Sequence, residues 1–406
     1  MSTRGGRFPA LFALVVVLSA CGIASVVSAQ NRGAGNSRSR LREELPAGSF
    51  TVGVEVLRFD DGATSSPIDV VLWYPARALG APMAVADYVE QAGIDDGDDD
   101  RQTGAGDGQS SRSVAALTQL ISGADTDASP EVFAEIAAEP TWATRGAPRD
   151  VSRVFPVVVW SARRDVVLYQ FALSELIASH GFIVAAVQRS SSISAAPWET
   201  PQAERGQLLE HQVSDLAEGL SRLENEEAID VERYAVLSWS YGGESAIRLR
   251  ERDPRVAAII GVSSNLFDGW VYEPDRRRVL EPSALDANVA ILREARDPEA
   301  TAMVRRGLAE LTKEAFFFTF ARADHGNFNA IEGLLPGVFD ISAVQPWSRA
   351  GDAAVPTYRA LSRLVLFHLR RWLMGDASRL DAQPWFAELA AAGVAEGYPG
   401  APVGAH

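Results

Sequence analysis

Cysteine is almost absent: Cys21 is the only one in 406 residues. It can form no intrachain disulfide and no cysteine-built metal site. Histidine is nearly as scarce, with five residues, so chemistry that needs an imidazole has few places to go. Lys313 is the only lysine, and arginine carries the rest of the positive charge. Positive charge as a whole falls short, leaving a formal net charge of −15. Such a surface repels phosphate backbones and argues against nucleic acid as a partner. Beyond residue 29 no apolar run is long enough to span a bilayer. Internal repeats are absent as well.

What remains is the composition of a globular chain, 47% apolar and 22% charged, with enough apolar side chains for a sizeable core. The first 29 residues read as an export signal. Arg4 and Arg7 precede an uncharged apolar run from Phe8 to Ala29, followed by small residues. Three readings stay open. Val27-Ser28-Ala29 before Gln30 suits ordinary signal peptidase. Leu18-Ser19-Ala20-Cys21 suits lipidation of Cys21, which would be the chain's one link to a membrane. The third is an uncleaved anchor. The expectation is a secreted or periplasmic protein. Residues 30–46, rich in Gly, Ser and Arg, read as a linker.

From residue 47 the pattern is that of alternating strands and helices. Phe50–Leu57 and Ile68–Pro75 read as an antiparallel hairpin turned by Asp60-Asp61-Gly62. Residues 79–150 form a long insertion, a lid or mobile loop, with helical spacing at Val114–Ile121 and Pro130–Ala138. Its acidic cluster (Asp95, Asp96, Asp98, Asp99 and Asp100) lacks the ordered spacing of a calcium loop and reads as a solvated loop. Buried strands then follow at Phe155–Trp160, Phe182–Val187, Tyr234–Leu237, Val256–Val262, Val289–Leu292 and Phe316–Phe320. Helices separate them at Leu168–Ser179, Leu209–Glu224 and Gly243–Glu251, and a long helix at Tyr358–Leu373 comes last. This order predicts an α/β fold with a mostly parallel, doubly wound sheet and an antiparallel hairpin in front. The domain would span 47–376, and residues 377–406 would form a C-terminal tail.

Leu237-Ser238-Trp239-Ser240-Tyr241-Gly242-Gly243 runs from a buried strand straight into a helix. This reads as a nucleophile elbow of the kind α/β hydrolases carry, with Ser238 in the usual first glycine position. A tight, strained turn lifts the serine hydroxyl above the sheet. Small residues two before and two after it avoid the neighbouring strand and helix. The Tyr241 N–H is placed to hold an oxyanion. A serine needs a base. His180, His211, His368 and His406 lie in or beside helices or at the chain end. His325, in Asp324-His325-Gly326-Asn327-Phe328, follows a strand, where sheets of this kind place their ligands. The acid should lie between the two. Asp297 is favoured, Asp268 is its rival, and Glu294 and Asp324 stand behind them.

The order Phe50–Gly53, Val71–Ala76, Phe155–Val159, Ala178–Val187, the elbow and Asp324–Phe328 resembles the platelet-activating-factor acetylhydrolase branch of the dienelactone-hydrolase-like α/β hydrolases. The likeness covers residues 50–78 and 154–372. It implies hydrolysis of a small-molecule or lipid ester through an acyl-enzyme, without cofactor or metal, by Ser240, His325 and a carboxylate. It also implies the Arg164 N–H as second oxyanion donor. Two features depart from the branch. Its glycine-rich turn after the strand ending at Trp160 is here Ser161-Ala162-Arg163-Arg164-Asp165. Its acid position, just after the strand ending at Val262, holds Ser263 and Ser264. The Ser161–Asp165 departure motivates a second reading, a catalytically inactive relative that binds a ligand or partner; a third is a serine peptidase using the same residues.

Overall fold

The computed structural model describes residues 39–59, 67–78, 80–92, 108–122, 128–162, 166–189, 202–267, 284–296, 298–341, 344–345, 348–349 and 352–399. The signal segment with Cys21, the 60–62 turn, the acidic cluster at 95–100, Arg163, Arg164, Asp268 and Asp297 lie outside the described residues. Arg40–His406 forms one compact unit.

The paired strands, in chain order, are β1 (Thr51–Phe59), β2 (Ile68–Ala76), β3 (Pro82–Ala84), β4 (Pro140–Arg145), β5 (Phe155–Ser161), β6 (Ile183–Arg189), β7 (Ile229–Ser240), β8 (Val256–Ser264), β9 (Asn288–Glu294) and β10 (Ala315–Phe320). A two-residue pair, β11 (Val344–Gln345) and β12 (Ser348–Arg349), stands apart, and β13 (Val394–Pro399) ends the series. Eleven strands make one sheet in the order β13-β10-β9-β8-β7-β5-β6-β2-β1-β4-β3. The run from β10 to β6 is parallel. The β1–β2 hairpin pairs antiparallel with β6 through β2. The expected α/β architecture is therefore present, with its antiparallel hairpin at one side.

Alternation along the strands divides the core between the two sheet faces. Trp73, Val158, Trp160, Ala235 and Leu237 belong to one apolar cluster, and Leu72, Val157, Val159 and Val236 to the other. The helix Phe171–Ser179 and the terminal helix Ala354–Leu373 cover the first face, through residues such as Leu173, Leu361 and Leu364. The helices Gln202–Leu223, Gly242–Arg252 and Pro298–Ala309 cover the second, through Val213, Leu249 and Val304. Both faces are covered, which is why the central strands read as unbroken apolar runs. Gly181 ends the Phe171–Ser179 helix at φ +90°, a conformation glycine takes without steric cost.

Three stretches differ from the sequence expectation. The linker already folds at Arg40–Glu44, because Leu41 and Leu45, four residues apart, bury one face. The insertion is not only a loop: β4 pairs parallel with β1, and β3 pairs with β4. The tail is part of the sheet, since β13 pairs antiparallel with β10 and covers the edge that β10 would otherwise expose. Short strands among Ala, Gly and Pro have no periodicity of their own, so their pairing partner defines them.

The insertion is fastened to the sheet by a buried polar chain. Trp73 Nε1–H donates to Tyr88 Oη (2.9 Å), Tyr88 O–H donates to Glu175 Oε1 (2.5 Å), and the Trp142 N–H donates to Glu175 Oε2 (2.7 Å). Glu175 is fully buried, and burial pushes its pKa up to about 7 against these hydrogen bonds. Glu175→Ala is expected to cost roughly 3 kcal/mol, because two donors lose their acceptor inside the core. Urea denaturation of the two proteins checks this.

Candidate active site

The chain leaves β5 for β6 on one side, then returns to place β7 on the other side of β5. Such a reversal opens a crevice at the carboxyl ends of the two diverging strands. Ser161 ends β5 and Ser240 ends β7.

Ser240 adopts φ +53°, a region that costs a side-chain-bearing residue about 1–3 kcal/mol and persists only when its surroundings enforce it. The enforcing contacts are specific. The Asn265 N–H donates to the Ser240 carbonyl (2.8 Å), and the Gly243 N–H donates to Asn265 Oδ1 (3.0 Å). Ser238 and Ser264 hydroxyls bond each other at 3.0 Å. Gly242, the first residue of the helix Gly242–Arg252, has no room for a side chain, since a Cβ there would sit 1.5 Å from the Ser161 carbonyl oxygen. The structure thus has the strained strand-to-helix turn that the motif predicts. Tyr241 is the residue preceding this helix.

The strand end at Ser161, which leads into the glycine-poor loop, is tied to the same helix. Ser161 Oγ lies 2.9 Å from the Gly242 carbonyl and 3.1 Å from Ser245 Oγ. Gln212 Nε2 donates to the Ala162 carbonyl (2.9 Å), and Ser245 O–H donates to Gln212 Oε1 (3.0 Å). Side chains of two helices thus fix the strand end at Ser161 and the Ala162 carbonyl.

His325 opens a short 3₁₀ turn, His325–Phe328, after β10. The Asp324 N–H donates to Asn327 Oδ1 (2.9 Å), which closes that turn. The structure brings the His325 ring against Trp239, the residue before Ser240. This ring lies parallel to the Trp239 indole, centroids 5.7 Å apart and 3° between planes. Trp239 in turn packs on Tyr169 at 5.1 Å.

The carboxylate that serves this imidazole among the described residues is Glu294, and it does so through a hydroxyl. Ser263 Oγ is 2.6 Å from Glu294 Oε2 and 2.6 Å from His325 Nδ1. Ser263 is buried and adopts φ +42° at the end of β8, while Glu294 ends β9 and is 9% exposed. Burial pushes the Glu294 carboxyl up, but Arg296, the Ser263 hydrogen bond, His325 and Arg293 overcome it and hold it down at about 2. Arg296 Nε donates to its other oxygen at 2.8 Å. Burial lowers the His325 pKa below 6.5; Glu294 raises it, and Arg296 and Arg293 lower it further. An ionised carboxylate only accepts hydrogen bonds, so the Ser263 proton points at Glu294. The Ser263 oxygen then accepts from Nδ1–H, which leaves the His325 Nε2 lone pair free.

The sequence alone places Glu294 behind Asp297 and Asp268 and gives Ser263 no role. Arg293-Glu294-Ala295-Arg296-Asp297 carries two carboxylates three residues apart, and the strand end between them is invisible without pairing partners. The available signal is a carboxylate closely following the buried run Val289–Leu292.

Among the described residues no group of three or more His, Cys, Asp or Glu side chains could hold a metal ion, and no helix is long and apolar enough to cross a membrane. No protein-family model and no curated protein matches the sequence. Among solved structures, a ferulic acid esterase from Streptomyces cinnamoneus is similar, at 22% identity over 86% of this chain and 97% of that one, with a TM-score of 0.59. That likeness supports the α/β-hydrolase fold.

Proposed function

We propose that the protein is an exported carboxylic ester hydrolase of the acetylhydrolase-like branch, working through an acyl-enzyme on Ser240. The observation that carries this is the strained Ser240 elbow at the switch point of the sheet, with the His325 ring stacked on the residue beside it. His325, neutral at pH 7 because its pKa lies below 6.5, takes the Ser240 proton on Nε2 as the hydroxyl oxygen attacks the ester carbonyl. It returns that proton to the leaving alcohol. The same imidazole then activates water to release the acid. The Tyr241 N–H, joined by that of Arg164, holds the oxyanion. Glu294 supplies the negative charge that steadies the imidazolium.

The structurally similar ferulic acid esterase is an ester-cleaving enzyme by name, which agrees with this chemistry. Export on residues 1–29, with lipidation of Cys21 as its anchored form, completes the reading.

Fluorophosphonate labelling as a function of pH tests it. The label is expected on Ser240. Its rate should fall as the medium is acidified through a midpoint below 6.5, because protonated His325 no longer accepts the serine proton. A protein that hydrolyses no p-nitrophenyl ester and takes no label is an inactive binding relative. Preferential turnover of amides would make it a peptidase.

A further inference from the structure

We propose that Ser263 is a positioning residue that stands between the carboxylate and the base, so that the working set is Ser240, His325, Ser263 and Glu294. The inference rests on the hydrolase reading for its kinetic consequence, but not for its geometry. Both of its hydrogen bonds are short, at 2.6 Å each. The hydroxyl is buried and bonded on both sides, so it has little freedom to turn away; its backbone is left-handed at φ +42°. The hydroxyl has one proton, and Glu294, ionised and held near 2 by Arg296 and its neighbours, can only accept it. That assignment obliges His325 to carry its own proton on Nδ1.

The physical consequence is that one hydroxyl fixes both the tautomer and the ring orientation of the base. No proton travels along the chain. When Nε2 takes the Ser240 proton, the imidazolium keeps its Nδ1–H on Ser263 Oγ, and Ser263 keeps its proton on Glu294. The charge of Glu294 reaches the imidazolium through a polarised hydroxyl rather than by direct contact. The arrangement also accounts for a serine in the place where the acetylhydrolase-like pattern has its acid: the carboxylate stands one strand further along, and Ser263 spans the gap.

The test is a double-mutant cycle on purified full-length protein. Glu294→Gln keeps one oxygen for the Ser263 hydroxyl, removes the charge and gives up the bond from Arg296. Ser263→Ala removes the bridge. Ser263→Gly does the same with the backbone strain relieved, which keeps the test alive should the alanine variant fold poorly. Each single substitution is expected to lower kcat on the order of 10²-fold or more with KM little changed. Glu294→Gln added to either Ser263 variant should cost less than about threefold further, because residues acting as one unit are not additive. Nitrogen-15 NMR of the histidine ring gives a readout that needs no turnover. Wild-type His325 should be the Nδ1–H tautomer above its pKa, and both Ser263 variants should lose that single form. Multiplicative kinetic losses, or an unchanged tautomer in the Ser263 variants, would overturn the proposal. Wild-type protein without esterase activity would defeat the hydrolase reading instead, and the NMR comparison would still decide the role of Ser263.

Discussion

His325→Ala is expected to lower kcat on esters by on the order of 10⁴-fold or more, with KM nearly unchanged. The serine hydroxyl is a weak nucleophile at neutral pH and depends on a neighbouring base. His325 is the imidazole that the fold brings to the β7 end: its ring rests on Trp239 and its Nδ1 is held by Ser263. His180 is bonded through Nδ1 to the Leu176 carbonyl, and His368 is fully buried among Phe316, Phe318 and Trp372. Neither could take over. Ser240→Ala should match the loss, and the double variant should be no worse than either single one. Steady-state kinetics on a p-nitrophenyl ester measures all three. A His325→Ala enzyme within tenfold of wild type would defeat the assignment.

Gly242→Ala is expected to be the most damaging alanine among the described glycines, costing at least about 3 kcal/mol and removing activity from whatever folds. The added Cβ would lie 1.5 Å from the Ser161 carbonyl oxygen and 2.5 Å from its carbon. Those are backbone atoms of β5 with no rotamer to change. Relief therefore requires β5 and the helix Gly242–Arg252 to separate. That movement would also pull apart the bonds that Gly242, Ser245 and Gln212 make at Ser161 and Ala162. Gly206→Ala is the control. Gly206 lies in the helix Gln202–Leu223 with nothing within 4 Å of a new Cβ, and alanine there should stabilise by about 0.5–1 kcal/mol. Thermal unfolding and kcat of the two variants, side by side, distinguish a steric clash from a general intolerance of alanine.

Much of this was written in the chain. Unbroken apolar runs such as Phe155–Trp160 and Phe182–Val187 report burial on both faces, and their alternation with helical stretches reports a parallel sheet. Ser238, Ser240 and Gly242 announce the elbow, because its local geometry tolerates only small residues beside the serine. Scarcity of histidine made His325 conspicuous. These are short-range constraints, and each sits within a few residues of its cause.

The tertiary structure decided what depends on strand order. That Glu294 reaches an imidazole through Ser263 is set by which strand ends lie side by side, and β8, β9 and β10 are neighbours only once the sheet is assembled. Ser263 acquires its role the same way: its two hydrogen-bond partners are 31 and 62 residues away in sequence. The strands β4 and β13 exist because β1 and β10 present open backbone edges to them. A hydrogen bond between distant residues leaves no period and no spacing in the sequence, so only the folded chain reveals it.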